Sequence, residues 1–375
     1  MHHYRANGDV TGVVDQVSPY LRGAQTTWSR RRFVGWLALA AGALLAACGA
    51  PTDPQVEVTG PTMGTYYAVK VARPPAGLDA QTLQAGVERV LKGVIDALST
   101  YDPQSELSRL NRNPSTDWVP ISGELYAVLA EGQRLSRLSD GAFDITVGPL
   151  INLWGFGPQP KADAVPSAQA ITAARERVGY DKLELRADPP AIRRQRGDIY
   201  IDVSALGEGE GADRMAAYLE SLGATDYMAA VAGTMRVRGN NAKRLAWGIA
   251  IEVPDPGNRA VQRILPLTDS AVSTSGDYRN FFKAAGKRYS HHIDPRTGNP
   301  VEQRLASVSV VAPGGGDSAR RADGLATALI VMGEERGLAL AEAQGLAAYF
   351  IVREDGDFRE VTTTALTRIN GKFAP

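Results

Sequence analysis

Helical and strand-like segments follow one another in this chain without the strict alternation that a doubly wound parallel sheet demands. The pattern therefore predicts an α+β fold of mixed helices and an antiparallel-rich sheet, and the length beyond the leader suits a single large domain or two intimately packed lobes. Residues 80–98 place Leu83, Val87, Val90, Leu91, Val94 and Leu98 at helical spacing. Residues 123–138 do the same with Leu125, Val128, Leu129, Leu135 and Leu138. A third helix is expected over 167–178, behind a serine N-cap after Pro166, and a fourth from about 209 to 221. Residues 66–71, after a turn at 60–64, read as a strand, and so do 200–203. Beyond them the chain is strand-rich, with candidates at 227–231, 245–253, 262–267, 271–274, 281–283 and 305–311. Two helices near 319–331 and 334–344 precede a late strand at 347–352. Segments 158–166 and 188–197 read as surface connections.

The first 47 residues stand apart from this pattern. Arg30, Arg31 and Arg32 lead into an apolar stretch from Phe33 to Ala47, which ends at Leu45-Ala46-Ala47-Cys48. A basic start, a short apolar core and small residues before a cut site describe an export signal, too short to span a bilayer comfortably. The paired arginines before Phe33 resemble a twin-arginine signal. The Leu-Ala-Ala-Cys tail resembles the lipobox of bacterial lipoproteins, in which the cysteine is acylated. The expected organisation is a signal over 1–47, a tether over 48–56 and one domain over 57–375. The expected location is the periplasmic face of the inner membrane, lipid-anchored at Cys48, or the soluble periplasm if Cys48 is not acylated. Cys48 is the single cysteine, so the exported chain has no disulfide to form.

Charge excludes one class of partner. The chain carries 41 basic and 41 acidic residues; five arginines and two aspartates precede Cys48, which leaves 36 and 39. There is no basic surplus to suit nucleic acid and no block of like charge to mark a disordered tail.

Residues 290–301 carry the plainest chemical signal. Two of the four histidines, His291 and His292, lie here, followed by Asp294-Pro295-Arg296-Thr297-Gly298. Histidine is the default proton carrier near neutral pH, although a turn of this composition also arises for structural reasons alone. A second signal is Asp202-Val203-Ser204-Ala205-Leu206-Gly207-Glu208-Gly209-Glu210-Gly211, a strand-like end followed by alternating glycines and a helix. Exposed N–H groups at such a helix start suit a phosphate. The interleaved acids would repel it unless a divalent cation intervenes, so a metal is implied. Downstream, Asp323 and Thr327 are four residues apart on one helical face, and their oxygens suit magnesium. Such a pair also serves as a solvated face or a helix cap. Met63-Gly64, Tyr101 beside Asp102-Pro103, and Gly141-Ala142-Phe143-Asp144 offer small, apolar and aromatic groups suited to a flat ring, or to ordinary turns and core.

Together these blocks resemble the bacterial FAD:protein FMN transferases of the ApbE family, over about residues 56–355. The resemblance rests on Met-Gly-Thr at 63–65, Ser-Thr-Tyr at 99–101, Gly-Ala-Phe-Asp at 141–144 and Asp-x-Ser at 202–204. It rests further on Ser-Thr-Ser-Gly at 273–276, Ser-His-x-Ile-Asp-Pro-x-Thr-Gly-x-Pro at 290–300, and Ala-Asp-Gly at 322–324 with Thr327. The family resemblance implies Mg2+-dependent cleavage of FAD, with the FMN half moved onto a threonine hydroxyl of an exported flavoprotein and AMP released. It implies that Met63, Tyr101, Ala142, Phe143 and Asp144 line the flavin and adenine pockets and that Asp202 and Glu208 contact FAD. The Ala205 carbonyl, Asp323 and Thr327 would hold Mg2+, and His291 would act as general base. Rnf/Nqr-type or NosR-like domains are the acceptor types it suggests. Hydrolysis of FAD to FMN and AMP, or FAD binding without catalysis by a lipoprotein, are the alternatives. The chain departs from the family pattern at Glu208, where many members carry lysine, at Ala232, where a glycine is usual, at His292, usually apolar, and at Ala326, where some members have an acid.

Overall fold

Eight antiparallel strands, hydrogen-bonded in the order in which the chain makes them, form the central sheet of the computed structural model, which describes residues 52–158, 164–257 and 260–371. They are β1 (Gln55–Thr62), β2 (Thr65–Ala72), β3 (Tyr227–Val231), β4 (Thr234–Arg238), β5 (Ser270–Gly276), β6 (Leu305–Pro313), β7 (Ala347–Glu354) and β8 (Asp357–Thr362). Three long excursions leave this meander. The first, between β2 and β3, carries helices α1 (Ala80–Leu98), α2 (Gly123–Leu138) and α3 (Ser204–Ser221). The second, between β4 and β5, is the hairpin of Trp247–Glu252 with Val261–Leu267. The third, between β5 and β6, contains both described histidines. Helix α4 (Ser318–Met332) joins β6 to β7.

Strand alternation divides the core between two faces of the sheet. In β7, Ala348, Phe350 and Val352 join the cluster formed with α2 and α4, whereas Ala347, Tyr349 and Ile351 join Trp247, Ile249 and Leu265 of the hairpin. A second cluster between β1–β3 and helices α1 and α3 includes Val69, Leu83, Val87, Met215 and Leu219. The result is the expected α+β arrangement. Among the described residues no helix is long and apolar enough to cross a membrane. The export signal, Cys48, and parts of the tether and of 158–166 lie outside the described residues.

Four local expectations are corrected. Residues 200–203 are not a strand: Ile201 and Val203 alternate because both are buried, and the Asn111 side chain takes the place of a neighbouring strand. Its Oδ1 accepts from Ile201 N and its Nδ2 donates to Ile201 O, both at 2.8 Å. Helix α3 begins at Ser204, not near Gly209, so Gly207, Gly209 and Gly211 lie inside the helix and form no loop. Residues 55 and 56, expected within the tether, open β1 instead, where Gln55 pairs with Ala72. Within 188–197, Pro190–Arg194 is a strand that pairs with Leu183–Ala187.

Candidate functional site

Asp323 projects from α4 toward β5 and is buried. Its Oδ1 accepts from Ser273 Oγ at 3.1 Å and from Thr234 Oγ1 at 3.4 Å, and the two hydroxyls are 2.7 Å apart. Its Oδ2 accepts from the backbone N–H of Gly209, in α3, at 3.0 Å. One turn further along α4, Thr327 Oγ1 meets Ser275 Oγ at 3.2 Å. Four elements therefore meet at one carboxylate: a helix supplies it, a second helix supplies an N–H, and two adjacent strands supply hydroxyls.

A second acid deepens the electrostatic problem. Burial lifts Glu208 to about 7, against the opposing hydrogen bond from Thr234. Burial, and then the charge of Glu208, push Asp323 well above the usual carboxylate range. Two facing acids in a poorly solvated place disfavour the doubly ionised state, and a cation removes that penalty. Among the described residues no three of His, Cys, Asp and Glu gather as a metal site. A cation here would be held by a carboxylate, hydroxyls and a carbonyl, the hard oxygen donors that suit Mg2+. Ala205 fits this set. In a regular helix the N–H at 209 is the partner of the carbonyl at 205, and it is this N–H that meets Asp323 Oδ2.

Strand β5 links this cluster to the histidines. Beyond Ser273 and Ser275, the Gly276 carbonyl lies 3.3 Å from His292 Nε2. His291 Nδ1 lies 3.0 Å from the Asn280 carbonyl, and the His291 backbone N–H donates to the same oxygen at 3.1 Å. A carbonyl only accepts, so Nδ1 carries the proton and Nε2 keeps its lone pair. The rings of His291 and His292 are 4.0 Å apart, and Phe156 stands edge-on to His291. Burial holds His291 below its ordinary pKa of 6.5, opposed by the Asn280 bond and the Asp277 charge. His292 is lower still, by burial and then by His291. Buried Asp277 is held by Arg288 and by Arg353, whose Nη1 is 2.9 Å away.

The other sequence-predicted residues take varied places. Met63, at φ +48, occupies the tight turn between β1 and β2 and reaches α3, where its Cε lies 3.3 Å from a β-carbon built at Gly211. Tyr101 is 66% exposed, with its hydroxyl 3.5 Å from the Phe156 carbonyl. Asp202 Oδ1 accepts from Ser204 N at 2.8 Å, opening α3. Ala142 and Phe143 belong to the core, with Phe143 Cε2 3.6 Å from a β-carbon built at Gly324. Asp144 is buried and accepts from Thr146 N, Thr146 Oγ1 and Tyr180 N at 2.7–2.9 Å, which makes it the organiser of its loop. Ala326 is fully buried in the core, so an acid there would cost desolvation. Ala232 adopts φ +47 in the β3–β4 turn.

Sequence reasoning missed Thr234, Asn280 and the individual roles of Ser273 and Ser275. The Ser-Thr-Ser-Gly block held the signal for the two serines: alternation places 273 and 275 on one face. Thr234 and Asn280 had none.

Solved structures share this architecture. Flavin transferase ApbE from Vibrio cholerae superposes with a TM-score of 0.78 at 42% identity, over 85% of this chain and 99% of that one. The flavinyl transferase ApbE of Pseudomonas stutzeri, in its apo form, gives 0.77 at 40% identity, over 86% and 98%. The fold is that of the flavin transferases. The chain belongs to the ApbE family, whose family model matches residues 63–350. The FAD:protein FMN transferase of Vibrio cholerae is 43% identical over 331 residues, which cover 88% of this chain and 97% of the relative. That of Escherichia coli is 36% identical over 334 residues, covering 86% and 93%.

Proposed function

We propose that this enzyme moves the FMN half of FAD onto a threonine hydroxyl of an exported flavoprotein and releases AMP. The observation that carries the reading is the chain of contacts along β5, from the buried Asp323 cluster to the Gly276 carbonyl and His292, whose ring lies 4.0 Å from that of His291. In this reading His291 Nε2 takes the proton of the acceptor hydroxyl as its oxygen attacks the FMN-side phosphorus. The bond from that phosphorus to the bridging oxygen breaks, and AMP leaves with the electron pair. The Asn280 carbonyl holds the imidazole in the tautomer that can accept this proton. Asp323, Thr327 and the Ala205 carbonyl would hold Mg2+, which supplies charge neutralisation for the pyrophosphate and its leaving oxygen. Ser273 and Thr234 orient the Asp323 carboxylate. Met63, Tyr101 and Phe156 would face the flavin and its opening, while Asp202 and Glu208 would contact FAD.

The export signal and lipobox-like tail support a location at the periplasmic face of the inner membrane, anchored through Cys48. Rnf/Nqr-type or NosR-like domains are the acceptors of choice there. The test is to incubate the domain from residue 52 with FAD, Mg2+ and such an acceptor domain and to weigh the acceptor. A gain of one FMN, lost with EDTA and in His291→Ala, supports transfer. FMN and AMP without a modified acceptor would favour hydrolysis, and unchanged FAD would leave binding alone.

A further inference from the structure

Gly209 lies in the body of α3, where a glycine weakens a helix. Two observations account for its presence. A β-carbon built on it would stand 2.4 Å from Arg320 Cα and 2.5 Å from the Ala319 carbonyl oxygen, so α3 and α4 touch backbone to backbone here. At this contact its N–H donates to Asp323 Oδ2 at 3.0 Å. In an undisturbed helix that N–H belongs to the carbonyl of Ala205. A carboxylate competing for the same proton loosens its hold on that carbonyl.

The crossing is locked from the side. Asp213 accepts from Ala319 N at 3.1 Å and Arg320 N at 2.9 Å, and Arg320 Nη1 donates to Glu210 at 2.6 Å. Arg236, from β4, donates to Asp213 at 3.1 Å and to the Gly316 carbonyl at 2.8 Å. All of these groups are buried apart from Gly316, so the first turn of α4 is fixed against residues 209–213. By contrast, a β-carbon on Gly207, two residues earlier in the same helix, meets nothing within 4 Å.

We propose that Gly209 is a positioning residue for the cation site: its missing side chain admits α4, and its N–H fixes Asp323 while freeing the Ala205 carbonyl as a ligand. The inference rests on the Mg2+ reading above. The experiment is calorimetric titration of the domain from residue 52 with Mg2+ alone, for wild type, Gly209→Ala and Gly207→Ala. Expected is a weakening of Mg2+ binding by about 10–100-fold in Gly209→Ala, the range for losing a group that orients a metal ligand, with Gly207→Ala unchanged. A folded Gly209→Ala that binds Mg2+ as wild type does would overturn the proposal. So would equal losses in the two variants. Should Gly209→Ala fail to fold, the wild type decides, with the Ala205 carbonyl carbon and the Gly209 amide followed by NMR during the titration. The Ala205 signal is expected to move while the Gly209 amide stays protected from exchange. A stationary Ala205 signal, or loss of that protection, would refute the assignment. Wild type that binds no Mg2+ at all refutes the cation reading itself, which is a different outcome from either.

Discussion

Asp323 Oδ1 and Ser273 Oγ lie 3.1 Å apart, and through that one contact a helix carboxylate is tied to the strand that ends at the histidine pair.

Asp323→Asn keeps the size of the side chain and removes the charge. Burial and Glu208 already disfavour that charge in metal-free protein, so the variant is expected to fold with an unfolding midpoint at or above wild type in EDTA. Mg2+ binding and FMN transfer should both be lost, transfer by about 10²-fold or more. Thermal unfolding with and without Mg2+, beside acceptor mass, checks both halves. Destabilisation in EDTA would show that the carboxylate is not a repelled charge.

Glu208→Gln addresses the other acid. Its carboxyl is raised to about 7 by burial, so near neutral pH part of the metal-free population carries an unfavourable charge. The amide should raise stability in EDTA by on the order of 1 kcal/mol, as replacement of a poorly paired buried charge does. With Mg2+ present the advantage should shrink, because the cation supplies the missing partner. A denaturant titration in each condition measures the difference.

The pH dependence follows from the histidines. Burial lowers both imidazoles below 6.5 in the folded chain. Between the folded and unfolded values the unfolded chain binds more protons, so the histidines' own contribution to stability is complete above about 6.5 and is lost as pH drops below it, opposite in sign to that of the raised Glu208 and Asp323 carboxyls. The acid limb of the transfer rate should likewise lie below 6.5, because His291 stays neutral there. Rate and unfolding profiles from pH 5 to 8 test this; an acid limb above 6.5 would contradict it. His291→Ala should cost about 10²–10⁴-fold in rate.

Ala232→Gly concerns stability alone. Ala232 sits at φ +47 in a two-residue turn, where a β-carbon costs about 1–2 kcal/mol. Glycine relieves this but gains freedom in the unfolded chain, so a net gain of roughly 0.5–1 kcal/mol is expected from the difference. A rise in Tm would be the readout.

Much of the site was legible because some residue types have few ordinary uses. Two histidines outside the leader, and an Asp and a Thr one helical turn apart, announce chemistry by identity. The hydroxyl groups did not. Ser273, Ser275 and Thr234 are common strand residues, and which face of a strand meets a helix is decided by the whole sheet. The glycines at 207, 209 and 211 were misleading for a definite reason: low helix propensity marks a loop unless tertiary contact overrides it, and the approach of α4 at Gly209 is such a contact. The order of the eight strands was equally hidden, because the excursions between β2 and β3 and between β5 and β6 bring together residues remote in sequence.

The alternation of β5 has one more consequence. Ser273 and Ser275 face α4, while Thr274 points the opposite way and meets Ser309 Oγ at 2.8 Å. A slip of one residue in the pairing with β6 would present Thr274 to Asp323 and turn both serines to the far side. The strand thus works as a ruler read in steps of two: a single inserted or deleted residue between 270 and 276 does not shift the chemistry slightly but turns it inside out.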